Sequence, residues 1–400
     1  MLTFAPLGEA MNQSLIASDS SISGKHGTYT GSIGLGAVSF HPNLGSAADF
    51  TGGHIDVPNT GSFFDSTVEV WLQIDILAGG CIGRLASSSF APHTFAVPLP
   101  LEPCMATSSS PVSVDLTGVH ALVTGANTGI GKVTALELAR AGARVTLACR
   151  TESKAQAAMA DIRAAVPNAD LSFLQLDLGE LRKVRASAAA LFARDDAPID
   201  LLINNAGLAG MSGLTPDGYE TQFGVNHLGP FLFTLLVLDR VKASSAPRIV
   251  NVASKAHYKA KPDGIDWDAQ TQKTATVGGF AEYCVSKLCN VLFSFELARR
   301  VPEIPVYALH PGVIASDVWR KVPWPFRSIM KLFMISVEEG ALTTLHCATA
   351  PDAAGKTALY WDTSKPKTPS HNARDEALAA ELWRRSIGWV GLEGADPTAS

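Results

Sequence analysis

The sequence predicts an α/β protein whose main domain is a Rossmann-like, doubly wound parallel sheet. From residue 119 onward, short β-branched runs alternate with longer amphipathic runs, and the first run leads into the glycine-rich phrase TGANTGIGK. Such alternation builds right-handed crossovers with helices on both faces of the sheet, so we expect about seven strands in the order 3-2-1-4-5-6-7. A ligand is then expected outside the carboxyl ends of the strands.

Six runs have the nearly continuous apolar composition of strands that are buried on both faces. They are VHALVT, RVTLAC, LSFLQL, DLLIN, PRIVNV and PVYAL. Between and after them, apolar residues recur at spacings of three and four, which is typical of helices that pack on a core. This spacing predicts helices at 129–142, 152–166, 179–193, 218–242, 279–301 and 336–349.

Composition argues against several classes of function. A net charge of −5 offers no basic excess for binding a phosphate backbone, so we expect no nucleic-acid partner. We find no long, strongly apolar uncharged run and no basic N-terminal start, so neither a membrane span nor a signal peptide is predicted. The six cysteines stand singly, without CxxC spacing. We therefore expect reduced thiols, no metal site and a cytoplasmic protein.

The first strand ends in a turn where Gly125, Gly129 and Gly131 open a helix. Glycine permits positive φ at such a turn and lets a pyrophosphate approach the backbone. The helix N-terminus also offers unpaired N–H groups and a partial positive charge. A plain glycine-rich turn is the alternative, but its position after the first of six strands favours a dinucleotide site.

At these residues the chain resembles the short-chain dehydrogenase/reductase family, whose fingerprint is TGxxxGxG. The resemblance covers about residues 115–390 and continues through NNAG after the fourth strand, GVNHLGPF, NVAS, YCVSK and HPG. It implies a catalytic set of Asn226, Ser254, Tyr283 and Lys287. The cofactor-binding residues that it implies are Gly125, Asn127, Thr128, Gly129, Ile130, Gly131, Arg150, Asp177, Leu178, Asn205, Ala206, Gly207, Tyr283, Lys287, Pro311, Gly312, Ile314 and Ser316.

The spacing of Tyr283 and Lys287 supports this chemistry from the residues alone, because side chains four apart share one face of a helix. A tyrosine with a pKa of about 10 is a poor base at neutral pH, and an ammonium beside a positively charged nicotinamide would lower that pKa. We therefore expect Tyr283 to be the general acid and base, and Lys287 also to bind the ribose. We expect Ser254 to hold the substrate oxygen and Asn226 to bind a water that relays protons. Taken singly, each of these residues could instead have a purely structural role.

Arg150 closes the second strand in LACR and bears on the choice of cofactor. An acidic residue there would accept a hydrogen bond from a ribose 2′-hydroxyl and select NAD, whereas a cation attracts a 2′-phosphate. We therefore expect NADP (NADPH) to be preferred over NAD, with Lys132 and Lys154 contributing. The alternative for Arg150 is a solvated charge at a strand end.

Within the family, the chain is similar to the retinol dehydrogenase-like group, which includes the WW-domain oxidoreductases, in LACR, SKLCNVLFSFELARR, HPGV and ELWRRSIGWVGL. This likeness implies a small lipophilic alcohol, aldehyde or ketone as substrate. Residues 313–335 interleave large apolar residues with basic ones, so we expect a lid with a basic rim that suits peripheral contact with a membrane. An amphipathic helix packed on the core is the alternative, and a homo-oligomer is compatible with the sequence.

The residues before 115 have a different composition, rich in Gly, Asn, Ser and Thr. Residues 25–85 resemble the opening strands of laminin-G-like, concanavalin-type sandwiches, but only half of one, which leaves open strand edges. We divide the chain into a disordered leader (1–24), a partial β-sandwich-like segment (25–85), a linker (86–114) and an NADP-binding domain (115–400). Sugar binding by the second segment is the alternative to a dispensable leader.

Two other functions are compatible with the same residues. Reductases of polyketide-like or porphyrin-like secondary metabolites use the same serine, tyrosine and lysine. A non-enzymatic, cofactor-sensing interaction protein would share the fold, but a sensor does not need an acid/base pair. The complete set of Asn226, Ser254, Tyr283 and Lys287 therefore favours an enzyme.

Overall fold

The computed structural model describes residues 111–312 and 335–399 with their side chains and, before residue 111, the backbone of seven strands. The chain divides into two compact units, Met1–Ser109 and Ser110–Ser400. In the first unit every strand pairing is antiparallel, as turn-rich β composition predicts, and two strands lie within residues 1–24. Its strands are Leu2–Pro6, Ser14–Asp19, His26–Ile33, Ser39–Phe40 and Phe50–Asp56 in one sheet, with Leu72–Gln73 and Arg84–Leu85 in another.

The second unit is built on an eight-stranded sheet. Its strands are β1 (His120–Thr124), β2 (Arg144–Cys149), β3 (Leu171–Gln175), β4 (Leu201–Asn204), β5 (Arg248–Val252), β6 (Val306–His310), β7 (Leu359–Asp362) and β8 (Lys365–Pro366). They lie in the order β3-β2-β1-β4-β5-β6-β7-β8, and all pairs are parallel except β7 with β8. The predicted order is therefore confirmed, with one short antiparallel strand added at the edge.

Helices cover both faces of this sheet. They are α1 (Gly129–Arg140), α2 (Glu152–Ala165), α3 (Leu181–Phe192), α4 (Thr221–Lys242), α5 (Phe280–Arg300), α6 (Val337–Thr349) and α7 (Glu376–Trp389). Successive residues of a strand point to opposite faces. Leu122 of β1 accordingly belongs to the core beneath α4 and α5, whereas Val123 belongs to the core beneath α1 and α6. Both faces are buried, which explains why the strands read as continuous apolar runs.

Helix α4 is long and apolar enough, by length and composition, to cross a membrane. Of its most apolar 18-residue window, 83% is buried inside the protein. Residues 221–238 carry no charge, so our inspection of the sequence missed an uncharged run of that length. Its composition is explained by packing, because Phe231, Leu232 and Leu238 lie fully buried in the core.

The sequence did not locate two elements of this unit: the seventh strand of the predicted order, to which no segment was assigned, and the helix near the C-terminal end. Strand β7 extends the parallel sheet beyond β6, and its Tyr360 and Trp361 are buried on opposite faces. Helix α7 packs against α4 and α5 through Trp383, whose ring centroid lies 5.0 Å from that of Phe231 and 6.1 Å from that of Phe293. The C-terminal segment therefore completes the core on the face that carries α4 and α5.

Candidate active site

The glycine turn after β1 is fixed by contacts that leave no room for side chains. Gly125 has φ of +67°, and its N–H donates to the oxygen of Ala148 at 2.8 Å. A Cβ on Gly125 would lie 2.9 Å from the Cα of Ala206. A Cβ on Gly131 would lie 2.5 Å from the Gly125 oxygen and would overlap the amide of Asn205. Both glycines are therefore required by close approach of the backbone.

The N-terminus of α1 is open at the same turn. Thr128 is the N-cap residue, but its side chain accepts no hydrogen bond from the helix. Gly129 has φ of +55°, and the space where its Cβ would stand is empty to 4 Å. Uncapped N–H groups at the positive end of a helix dipole form an anion site. This cradle fits the diphosphate of a dinucleotide.

The NNAG segment links three strands of the sheet. Asn205 donates through its amide nitrogen to the Thr124 oxygen at 2.9 Å, and the Ala206 N–H donates to the Thr124 hydroxyl at 3.0 Å. Asn204 donates to the Asn251 side chain of β5 at 2.8 Å. The side chains of both asparagines are thus used to hold the ends of β1, β4 and β5 together.

Three predicted cofactor residues follow β2 and β3. Arg150 is exposed, and no described residue forms an ion pair with it. Asp177 accepts from the Gly179 N–H at 3.1 Å and lies 3.4 Å from the Lys183 ammonium. Leu178 is buried, at 7% exposure. Of the two charged residues, Asp177 is therefore paired with Lys183, whereas Arg150 has no ion-pair partner among the described residues.

Ser254, Tyr283 and Lys287 meet at the carboxyl end of β5. Ser254 lies two residues after this strand and accepts from the Ala256 N–H at 3.2 Å, and its hydroxyl is close enough to Tyr283 to influence the pKa of that residue. Tyr283 and Lys287 lie on α5, with the lysine ammonium 5.8 Å from the tyrosine ring centroid. The same ammonium donates to the Val252 oxygen at 2.9 Å. The structure therefore brings together the three residues that the sequence singled out.

Burial controls the ionisation of this pair. It raises the pKa of the Tyr283 hydroxyl, and the hydrogen bond with Ser254 offsets part of that rise. It lowers the pKa of the Lys287 ammonium from 10.5 to about 8, because a charged amine loses its hydration there. Without a cofactor, Tyr283 is thus held in its protonated form, which is the form of a proton donor.

Asn226 lies in a π-helical turn of α4, Gly224–Leu228. Its side-chain oxygen accepts from the Leu208 N–H at 2.8 Å. Its nitrogen donates to the Leu208 oxygen at 2.9 Å and to the Ser286 hydroxyl at 3.0 Å. A Cβ on Gly207 would lie 3.3 Å from both the Asn226 side-chain oxygen and the Lys287 ammonium. Asn226 thus belongs to the site, and both N–H donors of its side-chain amide are in use.

Ser286 is a site residue that our reasoning from the sequence missed. It is fully buried, accepts from the side-chain amide of Asn226 and donates to the backbone oxygen of Tyr283 at 2.9 Å. The signal was available, because residue 286 lies three positions after Tyr283 and so shares its helix face. Ser286 connects the two helices that carry Asn226 and Tyr283.

Pro311 and Gly312 follow β6, and Gly312 has φ of +99° with Ile335 packed where its Cβ would stand. His310 is 3% exposed, and neither ring nitrogen has a partner among the described residues; burial lowers its pKa to about 4. Ile314 and Ser316, and residues 313–334 of the predicted lid, lie outside the described residues. No metal-binding group of His, Cys, Asp or Glu occurs within the described ranges.

Comparison with known proteins gives a family and curated relatives. Residues 119–267 match the family model for short chain dehydrogenases. Human retinol dehydrogenase 13 is 42% identical over 294 residues, which is 71% of this chain and 88% of the relative. Human retinol dehydrogenase 12 is 40% identical over 288 residues, or 70% of this chain and 89% of the relative.

Solved structures share the same architecture. An uncharacterized protein from Mycobacterium paratuberculosis superposes with a TM-score of 0.56 at 31% identity, over 70% of this chain and 95% of its own. A short chain dehydrogenase from Shigella flexneri complexed with NADP gives a TM-score of 0.51 at 20% identity, over 63% of this chain and 99% of its own. The second likeness supports the fold alone.

Proposed function

Because this chain belongs to the short-chain dehydrogenase/reductase family, as a retinol dehydrogenase-like oxidoreductase that acts on CH–OH donors, we propose that it is NADP-dependent. We propose further that it interconverts a lipophilic alcohol with its aldehyde or ketone and that Tyr283 is the general acid and base. The observation that carries the proposal is the meeting of Ser254, Tyr283 and Lys287 at the end of β5.

Ser254 and Tyr283 present two neighbouring hydroxyl groups, and the interaction with Ser254 lowers the pKa of Tyr283. A substrate carbonyl oxygen that accepts from both is held in place and polarised. In reduction, the phenolic proton of Tyr283 passes to this oxygen as hydride reaches the carbonyl carbon. In oxidation, the phenolate takes the hydroxyl proton back. The bound nicotinamide supplies or accepts the hydride.

Lys287 has three donors, and one is used by the Val252 oxygen. We assign the others to the ribose hydroxyls and to a relay water, while the positive charge stabilises the phenolate of Tyr283. We assign the anchoring of that water to Asn226. Both N–H donors of its side-chain amide are used, by the Leu208 oxygen and the Ser286 hydroxyl, so the water has to donate to Asn226, and we assign the backbone carbonyl as its acceptor.

The open end of α1 supports binding of the cofactor diphosphate by the backbone of residues 127–131. The unpaired charge of Arg150 supports recognition of a 2′-phosphate, and thus NADP over NAD. Lys132 is a weaker candidate for this role because it already pairs with Asp161. We assign Asp177 and Leu178 to the adenine side and Gly207, Pro311, Gly312, Ile314 and Ser316 to the nicotinamide side.

Two exposed apolar residues that precede Tyr283 in the sequence support a lipophilic substrate. Phe280 lies one helical turn before Tyr283 on α5 and is 54% exposed. Val277, in the turn before the helix, is fully exposed. Exposed apolar residues at the start of the helix that carries the acid/base pair suit a ligand with one polar end. The names of the relatives, retinol dehydrogenases 12 and 13, agree with such a substrate.

The deciding experiment is NADPH consumption with a panel of retinal, aliphatic aldehydes and aromatic ketones, repeated with NADH. We expect turnover of a lipophilic member and a higher kcat/KM with NADPH. Turnover confined to polar carbonyl compounds would contradict the substrate class. Cofactor binding without turnover of any member would favour the sensing alternative.

A further inference from the structure

The backbone carbonyl of Asn226 lacks the donor that an α-helix would provide. Its partner four residues later would be residue 230, which is a proline and has no N–H. The helix widens at this point into the π-helical turn Gly224–Leu228, closed by a hydrogen bond from the Gly229 N–H to the Gly224 oxygen. Single π-turns of this kind are frequent at functional sites.

Asn290 supplies the missing donor. With its amide turned so that the nitrogen faces acceptors, that nitrogen lies 2.7 Å from the Asn226 backbone oxygen and 3.2 Å from the Ser286 backbone oxygen. Asn290 is 8% exposed and lies on α5, three residues after Lys287 and so on the same helix face. A buried side-chain amide thus takes the place of a helix N–H.

We propose that Asn290 is a positioning residue that holds the Asn226 carbonyl in place for the relay water of Lys287. A carbonyl oxygen has two lone pairs, so it can accept from Asn290 and from a water at the same time. The inference rests on the proposed function, because it concerns the anchor of the water that this function invokes.

Helix α5 bonds two polar groups of Asn226, its side-chain amide and its backbone carbonyl. The Ser286 hydroxyl receives the side-chain amide at 3.0 Å, and Asn290 donates to the backbone carbonyl at 2.7 Å. The same helix carries Tyr283 and Lys287. One rigid element therefore fixes the position of the water anchor relative to the acid/base pair, as a preorganised site requires.

The test compares Asn290→Leu with Ser294→Ala in the full chain. Ser294 is a matched control, because it is buried on the same helix and bonds Asn251 at 2.9 Å and the Asn290 backbone at 2.7 Å. We expect Asn290→Leu to lower kcat about tenfold or more, as loss of ordered proton transfer does. KM and the NADPH Kd should stay within about twofold, and the solvent deuterium isotope effect on kcat should rise. Ser294→Ala should lower only Tm. Equal kcat and isotope effects in the two variants would overturn the proposal.

Pro230→Ala provides a second test that does not depend on the folding of Asn290→Leu. It restores an N–H four residues after Asn226, which draws the carbonyl back along the helix axis. We expect a lower kcat with an unchanged or higher Tm, and a kcat equal to that of the wild type would overturn the proposal. If Tyr283→Phe remains active, the proposed function itself fails. If Tyr283→Phe is inactive while Asn290→Leu and Pro230→Ala react normally, only the role of Asn290 fails.

Discussion

The ammonium of Lys287 donates to the backbone oxygen of Val252 at 2.9 Å, two residues before Ser254. This bond attaches helix α5 to the end of β5, so it fixes the position of Tyr283 and Lys287 relative to Ser254. Neither Lys287 nor Val252 can shift without breaking a buried, charged hydrogen bond, and the loss of such a bond costs free energy of folding. The reacting groups are therefore placed by the core of the fold and not by surface loops.

Replacing Tyr283 with Phe removes the proton-transfer group and leaves the glycine turn untouched. We expect kcat to fall by about 10²–10⁴-fold, the usual contribution of a positioned acid or base, with an NADPH Kd within about twofold of the parent. Tyr307→Phe is the matched control, because its hydroxyl donates to the Ala353 oxygen at 2.6 Å and its side chain is buried in the core on the opposite face of the sheet from α5. It should lower Tm without lowering kcat. Activity of Tyr283→Phe within tenfold of the control would refute the assignment.

Replacing Lys287 with Met tests the pKa that burial lowers to about 8. Below pH 8 both folded and unfolded chains hold the proton, and the folded state carries the cost of a buried charge. Between pH 8 and the ordinary value of 10.5 the unfolded chain binds more protons, so stability without cofactor should rise with pH. Lys287→Met should have a higher Tm at pH 7 than the parent, and its stability should not rise between pH 8 and 10.5. Its kcat and its affinity for NADPH should be lower. Lys242→Met, at the end of α4, is the control and should keep the parent's dependence of stability on pH. If Lys287→Met also keeps the parent's dependence, the Lys287 ammonium is solvated in the folded protein.

Replacing Arg150 with Asp should move cofactor preference from NADP towards NAD. The change exchanges attraction of a 2′-phosphate for repulsion and adds an acceptor for a 2′-hydroxyl. We expect the ratio of kcat/KM with NADPH to that with NADH to fall about tenfold or more, which corresponds to about 1.4 kcal/mol. Arg194→Asp, at an exposed position after α3, should leave the ratio unchanged. Equal ratios in the two variants would place phosphate recognition elsewhere.

The fold of the second unit was largely predictable because its signals are local. Each predicted helix is found within a few residues of its expected bounds, since apolar spacing and glycine turns act within a few positions. The seventh strand was expected in the order but was not located along the chain, and helix α7 was missed, because both are stabilised by distant partners such as β6 and Phe293. The roles of Ser286 and Asn290 likewise depend on α5 meeting the π-turn of α4, a contact between helices about sixty residues apart that no local pattern encodes.

A chain that begins at Met105 should fold, bind NADPH and turn over substrate as the full chain does. All eight strands of the sheet lie beyond that residue, and among the residues described with side chains the first core residue of this unit is Val112, at 5% exposure. A chain that begins at Thr117 is the matched control, because it also loses Val112 and Leu116, both of which pack beneath α1 and α6. Burying two such side chains stabilises a fold by about 3–6 kcal/mol. The Thr117 chain should therefore unfold at a much lower temperature. If the Met105 chain also loses stability or activity, the first unit contributes to the enzyme and our expectation that it is dispensable is wrong.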